Sequence, residues 1–229
     1  MAEYKARISC LASGNGSNLQ ALIDASASGV IAGSIVRVTV NKKDAYAVKR
    51  AESAQPPIPT DYFNLVKHGF LTTGEKDPQK VKEARFKYDT ALAERILVDK
   101  PDLIVLAGWM HGIAKVEASN SVAYTAHILD CGWRPDNKST PSIARHINRA
   151  YEDFKAGKLE NGITGIMIHY VVEEVDRGAP VLTQEIQIRD EESLEDLEKR
   201  IHEYEHELIV KATALLAQKI VAAKGSATS

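Results

Sequence analysis

A glycine-rich turn near the N-terminus is the first segment of this chain whose residue types could do chemistry. Residues 13–18 read SGNGSN and stand between an apolar stretch and a stretch with helical spacing. Glycines let backbone N–H groups converge on one point, and a following helix N-terminus adds partial positive charge. The turn lacks the third glycine of a dinucleotide-binding loop and the Gly-Lys-Ser/Thr of a Walker loop. It indicates a site for one phosphate or, alternatively, a purely structural turn.

A second candidate follows the most apolar run of the chain. Residues 103–107 read LIVLA and are followed by Gly108, Trp109, Met110 and His111. Ligands of open α/β sheets bind beyond the carboxyl ends of the strands, where these residues would lie. Trp109 and Met110 could wall a pocket for an aromatic ring or belong to the core, and the local pattern leaves both open.

Two further patterns contain histidine. His169 lies in an apolar stretch and Asp176 in the following Asp-Arg-Gly turn, so they form an acid/base pair or a core histidine beside an ordinary turn. His202 and His206 match the His-Glu-x-x-His word of zinc proteases. Because no third ligand follows at short helical spacing, we favour a solvated helix face there and predict no metal site.

Composition narrows the class of protein. The chain has 229 residues, 26% of them charged and 44% hydrophobic, with a formal net charge of −2. These values predict one globular domain over residues 1–229, with a flexible tail from about residue 224. This small negative net charge does not attract nucleic acid or an anionic membrane. Cys10 and Cys131 are too few for a disulfide scaffold, and we expect a cytoplasmic protein without a membrane span.

The elements that must position these residues alternate between strand and helix. The patterns predict strands over 4–11, 35–40, 60–64, 103–107, 121–129, 162–174 and 180–188. They predict helices over 18–27, 44–53, 81–99, 139–156 and 190–223. This order predicts a single-domain α/β fold, with a mostly parallel twisted sheet and helices on both faces.

Four of these segments, in this order, resemble the phosphoribosylglycinamide formyltransferase family, the folate-dependent enzymes of purine synthesis. The matching words are SGNGSNLQALID at 13–24, PDLIVLAGWM at 101–110, TGIMIHYVVEEVDRGAPV at 164–181 and HEYEHELIVKAT at 202–213. The resemblance covers about residues 4–110 and 147–220 and looks closest to the fungal members. It implies a Rossmann-related, formyltransferase-like fold in agreement with the element order.

The resemblance also implies an activity and a set of site residues. The family transfers a formyl group from 10-formyltetrahydrofolate, a co-substrate, to the amine of glycinamide ribonucleotide, without a metal. Asp176 matches the catalytic aspartate, and His169 matches a structural histidine near it. Matches to substrate-binding positions are Gly16, Ser17, Asn18 and Glu205, and matches to folate-binding positions are Arg85, Met110, His111, Gly112 and Ile113. The implied partners are the two small molecules, and the chain is expected to be a monomer or a homodimer.

One family motif is missing. The family carries Asn-x-His-Pro after the Ala-Gly-aromatic-Met word, and this Asn and His bind the oxyanion formed during transfer. Residues 112–143 contain no such motif, although His127 lies near the expected depth. Three explanations for the missing motif remain open. The chain is an inactive relative, its sequence is altered in this stretch, or His127 replaces the usual histidine. From this we expect substrate or folate binding with weak formyl transfer, and a non-catalytic binding protein is the alternative.

Overall fold

The computed structural model describes residues 4–109, 122–129, 143–171 and 179–226. For residues 122–129, 143–145 and 160 it describes the backbone. Within these ranges no helix is both long enough and apolar enough to cross a bilayer.

Seven strands form one sheet in the order β3-β2-β1-β4-β5-β6-β7. The strand bounds are β1 Ala6–Ala12, β2 Gly33–Val40, β3 Thr60–Tyr62, β4 Leu103–Leu106, β5 Val122–Leu129, β6 Ile163–Tyr170 and β7 Pro180–Gln187. Strands β1 to β5 are parallel to one another, whereas β6 is antiparallel to both β5 and β7. The predicted mostly parallel α/β sheet is confirmed.

Five α-helices connect or follow these strands. Their bounds are α1 Ser17–Ala27, α2 Tyr46–Ser53, α3 Pro78–Leu97, α4 Ile143–Lys155 and α5 Leu194–Ser226. The side chain of Asp77 caps α3 by accepting from the backbone N of Gln79 at 2.9 Å, and Pro78 occupies the first turn. Ser193 caps α5 by accepting from the backbone N of Asp196 at 3.1 Å, as its sequence pattern predicts.

Helix α5 extends further toward the C-terminus than the sequence predicts, although it begins at Leu194 rather than at residue 190. It continues through Ser226, so residues 224–226 are helical and do not belong to a flexible tail. The reason is a contact that sequence spacing does not reveal: Lys224 donates to the carboxylate of Asp102, which is 4% exposed. Tyr4 and the backbone N of Arg7 donate to the same carboxylate, at 2.6 and 2.8 Å. A buried carboxylate needs such partners, and here they tie both ends of the chain to the start of β4.

The sheet is covered on both faces, which explains the continuous apolar run of β4. Leu103 and Val105 belong to a large core cluster with side chains of α1, α2, α4 and α5. Ile104 and Leu106 point to the other face and pack with Tyr88, Leu92 and Ile96 of α3. Successive strand residues face opposite sides, so a strand buried on both sides has no polar alternation.

Three loops meet beyond the carboxyl ends of β1, β2 and β4. The backbone N of Ser13 donates to the carbonyl of Gly108 at 3.1 Å, which joins the loop after β1 to the loop after β4. The backbone N of Ala47 donates to the carbonyl of Gly14 at 3.2 Å, which joins the first turn of α2 to the same loop. The glycine-rich turn therefore lies in the crevice where open α/β sheets bind ligands.

Candidate functional site

The glycine-rich turn ends in a left-handed residue that starts α1. Gly16 is the N-cap of α1, with φ 74° and ψ 31°. A glycine has no side chain with which to cap the helix, so the N–H groups of the first turn stay available to an external acceptor. Together with the partial positive charge of the helix N-terminus, these groups favour an anion.

Steric contact with α2 also requires glycine at this position. A Cβ at Gly16 would lie 2.8 Å from the Cβ and 2.9 Å from the Cα of Ala47. Both distances are far below van der Waals contact, and the positive φ would strain any other L-residue. Gly14 is different, because a Cβ there would meet nothing within 4 Å.

A buried polar cluster joins the first turn of α1 to α5. Asn18 and Glu205 are 6% and 4% exposed, and Asn18 Nδ2 donates to Glu205 Oε1 at 2.8 Å. His202 Nδ1 donates to Glu205 Oε2 at 3.1 Å, so each carboxylate oxygen has one partner. Asn18 Oδ1 is buried and accepts no hydrogen bond from the described residues. The cluster therefore offers an acceptor beside the anion-favouring turn, suited to an N–H or O–H group.

The two histidines of α5 have opposite electrostatic surroundings. The hydrogen bond to Glu205 raises the pKa of His202, outweighing the opposite effect of burial. Burial lowers the pKa of His206, and the positive charges of His202 and Arg50 act in the same direction. Of these two histidines, His202, which shares Glu205 with Asn18 of α1, therefore holds a proton more readily.

A metal site at these histidines is not supported. Across the described ranges, no group of three or more His, Cys, Asp or Glu side chains is arranged to hold a metal ion. Glu205 instead bonds Asn18 and His202, which accounts for its burial without a metal.

An open cleft of about 570 Å³ adjoins the turn. One wall is formed by residues 13–15 and the other by residues 42–46. The wall after β2 includes Lys42 and Lys43, which are exposed. These two cations favour an anion in the cleft, and the exposed Asp44 of the same wall offsets part of their charge.

Other residues singled out from the sequence lie apart from this cluster. Trp109 is 7% exposed and packs in the core cluster on the α3 face, so of its two interpretations the core one is correct. Arg85 lies half-buried on α3. Burial raises the pKa of the nearby Tyr88 phenol, and the positive charge of Arg85 opposes this increase only in part. His169 lies on β6, is 2% exposed, and its Nδ1 donates to the carbonyl of Tyr170 at 2.8 Å.

Some predicted site residues lie outside the described residues: Met110, His111, Gly112, Ile113 and Asp176. His127 lies within β5, where its backbone is in register with Met167 of β6. Two positions earlier on β5, the backbone of Thr125 is in register with that of His169 on β6. His127 is therefore two positions along the strand from the register partner of His169.

Sequence reasoning missed two features of the site. His202 enters the sequence patterns only as a possible metal ligand, although its spacing of three residues from Glu205 on a helix predicts their contact. Arg50 lies 35 residues from Asn15 and donates two hydrogen bonds to it, and no local sequence pattern predicts such a contact.

The fold and this site place the chain in a known family. Residues 6–119 and 144–213 match the family model described as formyl transferase, and the chain belongs to that family. The interval 120–143, which the match omits, coincides with the stretch that lacks the Asn-x-His-Pro motif.

Individual relatives are more specific. The chain is 38% identical over 204 residues to the phosphoribosylglycinamide formyltransferase of Schizosaccharomyces pombe, covering 88% of this chain and 92% of the relative. It is 34% identical to the enzyme of that name from Saccharomyces cerevisiae, covering 94% and 99%. A solved structure of phosphoribosylglycinamide formyltransferase from Coxiella burnetii is similar with a TM-score of 0.70 at 27% identity, covering 94% and 89%. The resemblance read from the sequence is confirmed.

The contrast between the two glycines of the turn generates a first prediction. Gly16→Ala should destabilise the protein by about 1–3 kcal/mol through the positive φ and the contact with Ala47. Gly14→Ala, which has open space, should cost less than about 1 kcal/mol. Urea unfolding of both variants measures the difference, and equal stabilities would show that the turn does not have the described conformation.

A second prediction concerns the pKa of His202. Glu205→Gln removes the carboxylate, so the pKa of His202 should fall, whereas Glu203→Gln on the same helix should leave it near the wild-type value. The raised pKa stabilises the fold fully below the unfolded value near 6.5 and loses this effect as pH rises through the folded pKa. The stability deficit of Glu205→Gln should therefore be larger at pH 5.5 than at pH 8.5. NMR titration of the His202 ring gives the pKa, and an unchanged value would contradict the pairing.

Proposed function

We propose that this chain transfers the formyl group of 10-formyltetrahydrofolate to the amine of glycinamide ribonucleotide. The carrying observation is the buried bond between Asn18 and Glu205, which joins the anion-favouring turn to a polar cluster beside it. A ligand with a phosphate at one end and hydroxyl and amine donors near it fits both parts. Membership in the formyl transferase family and the names of the relatives support the reaction.

The phosphate would bind at Gly16, Ser17 and Asn18. Backbone N–H groups at the start of α1 supply donors, and the charges of Lys42 and Lys43 add attraction from the far side of the cleft. Asn18 Oδ1 would accept from a ribose hydroxyl or from the glycinamide part. Glu205 would hold the Asn18 amide in place and present its remaining lone pairs to the same part of the substrate.

The transfer itself needs groups around the formyl carbon. The substrate amine attacks that carbon, the new C–N bond forms, and the bond to N10 of the folate breaks as a proton passes from the amine to N10. We assign help with this proton to Asp176, with His169 as a structural neighbour. His127 on β5 is the imidazole that we assign to the oxyanion, replacing the missing motif.

The folate would lie along Arg85 and residues Met110 to Ile113. We propose that the chain acts in the cytoplasm on these two small molecules, without nucleic acid, membrane or metal, as a monomer or a homodimer. The net charge of −2 supports small-molecule partners over a polyanion. The alternative of a protein that binds without transfer gains no support from the relatives, which carry the name of the transferring enzyme.

Formyl transfer measured by absorbance tests the proposal. The unmodified chain should transfer formyl groups only when both 10-formyltetrahydrofolate and glycinamide ribonucleotide are present. Asp176→Asn should lower kcat about 10²–10⁴-fold, the range of general acid–base catalysis, with ligand affinity nearly unchanged. Asp190→Asn, an exposed aspartate of the β7–α5 connection, is the matched control.

Two results would count against this assignment. Tight binding of both ligands by the unmodified chain with no formyl transfer would leave only the binding protein. Full turnover by Asp176→Asn would remove Asp176 from the mechanism.

Loss of turnover in His127→Ala, with retained substrate affinity, is the result expected for an oxyanion donor.

A further inference from the structure

Helix α2 contacts the glycine-rich turn through one guanidinium group. Arg50 Nε donates to the backbone carbonyl of Asn15 at 2.9 Å, and Arg50 Nη2 donates to Asn15 Oδ1 at 2.7 Å. Arg50 Nη1 donates to Gln20 Oε1 on α1 at 3.2 Å. One rigid, planar side chain therefore connects α2, the turn and α1.

The guanidinium is itself held in place. It lies 5.0 Å from the ring centroid of Tyr46, one turn earlier on α2. Tyr46 and Arg50 belong to the same turns of α2 as Ala47, whose N–H bonds the carbonyl of Gly14. This cation–π contact with Tyr46 favours the orientation in which the guanidinium faces Asn15.

The three hydrogen bonds of this fork go to neutral acceptors, and within the described ranges no carboxylate pairs with the positive charge of Arg50. That charge is felt at the site, because it contributes to the lowered pKa of His206 on α5. An arginine that only stabilised the fold would gain more from a carboxylate partner, as Arg200 does with Glu192 at 2.6 Å. The arrangement instead combines a fixed turn with an excess of positive charge beside it.

We propose that Arg50 is a positioning residue for the substrate phosphate. By holding Asn15 it fixes the conformation in which the N–H groups from Gly16 to Asn18 converge on one point. This inference rests on the proposed function, since it assumes that a phosphate binds at the turn. Preorganisation of this kind improves affinity because the turn does not have to be ordered when the ligand arrives.

The test compares three variants by calorimetry with glycinamide ribonucleotide and by steady-state kinetics. Arg50→Ala should weaken ribonucleotide binding and raise its KM about tenfold, the effect of one hydrogen bond from a charged donor. The KM for 10-formyltetrahydrofolate and kcat should stay unchanged. Arg50→Lys keeps the charge without the fork and should recover only part of the affinity. Lys49→Ala, which removes a cation near the same Tyr46 ring at 5.6 Å, is the control and should bind like the wild-type protein.

A second measurement, amide hydrogen exchange, tests the stability of the turn without any ligand. The amide of Ala47 bonds Gly14 and the amide of Gln20 bonds Gly16, at 3.2 and 2.9 Å. In Arg50→Ala, hydrogen exchange at these two amides should accelerate about tenfold, while amides of β1 and β4 exchange as in the wild-type protein.

Three results would overturn the inference. Unchanged ribonucleotide affinity in Arg50→Ala would show that the turn needs no clamp, and full recovery in Arg50→Lys would show that charge alone acts. Accelerated exchange throughout the chain would assign Arg50 to general stability. If the wild-type protein binds no glycinamide ribonucleotide, the proposed function fails, and local exchange at Ala47 and Gln20 alone decides whether Arg50 holds the turn.

Discussion

The hydrogen bond between Asn18 and Glu205 is the contact on which the site depends. It joins residues 187 positions apart in the chain, and both side chains are buried. A carboxylate taken out of water destabilises the fold by several kcal/mol unless it is hydrogen-bonded. The Asn18 amide and the His202 ring offset this penalty, so α1 and α5 must keep their relative positions. The glycine-rich turn, the proposed phosphate site, is thereby linked to the groups that would contact the rest of the substrate.

The turn is constrained from the opposite side by α2. Gly16 has the left-handed conformation and leaves no room for a side chain beside Ala47. The N–H of Ala47 bonds Gly14, and Arg50 bonds Asn15. The parallel strands β1 and β2 bring α1 and α2 side by side, since they pair along Ala6 to Ala12 with one register shift between Ile8 and Ser9. The sheet thus sets the distance that these short contacts require.

Much of this could be predicted from the sequence, because the signals are local. The apolar run of β4 and the glycines of the turn are signals of neighbouring residues, and they predicted the fold and the place of the turn. The contacts of Glu205 with Asn18 and of Arg50 with Asn15 could not be predicted, because each joins distant segments that the sheet brings together. Residues 224–226 are helical and not part of a tail for a similar reason: Lys224 pairs with Asp102, far away in sequence. Specific roles for Glu205 came only from the resemblance.

The central claim is that the turn between β1 and α1 binds the substrate through its phosphate. The most direct measurement compares glycinamide ribonucleotide with the corresponding riboside, which lacks only the phosphate, by calorimetric titration of the unmodified protein. Charge-assisted hydrogen bonds to backbone N–H groups should make the ribonucleotide bind at least about 100-fold more tightly, and raising the salt concentration should reduce the difference. Equal affinities for the two compounds would contradict the claim, because the turn would then contribute nothing to substrate binding.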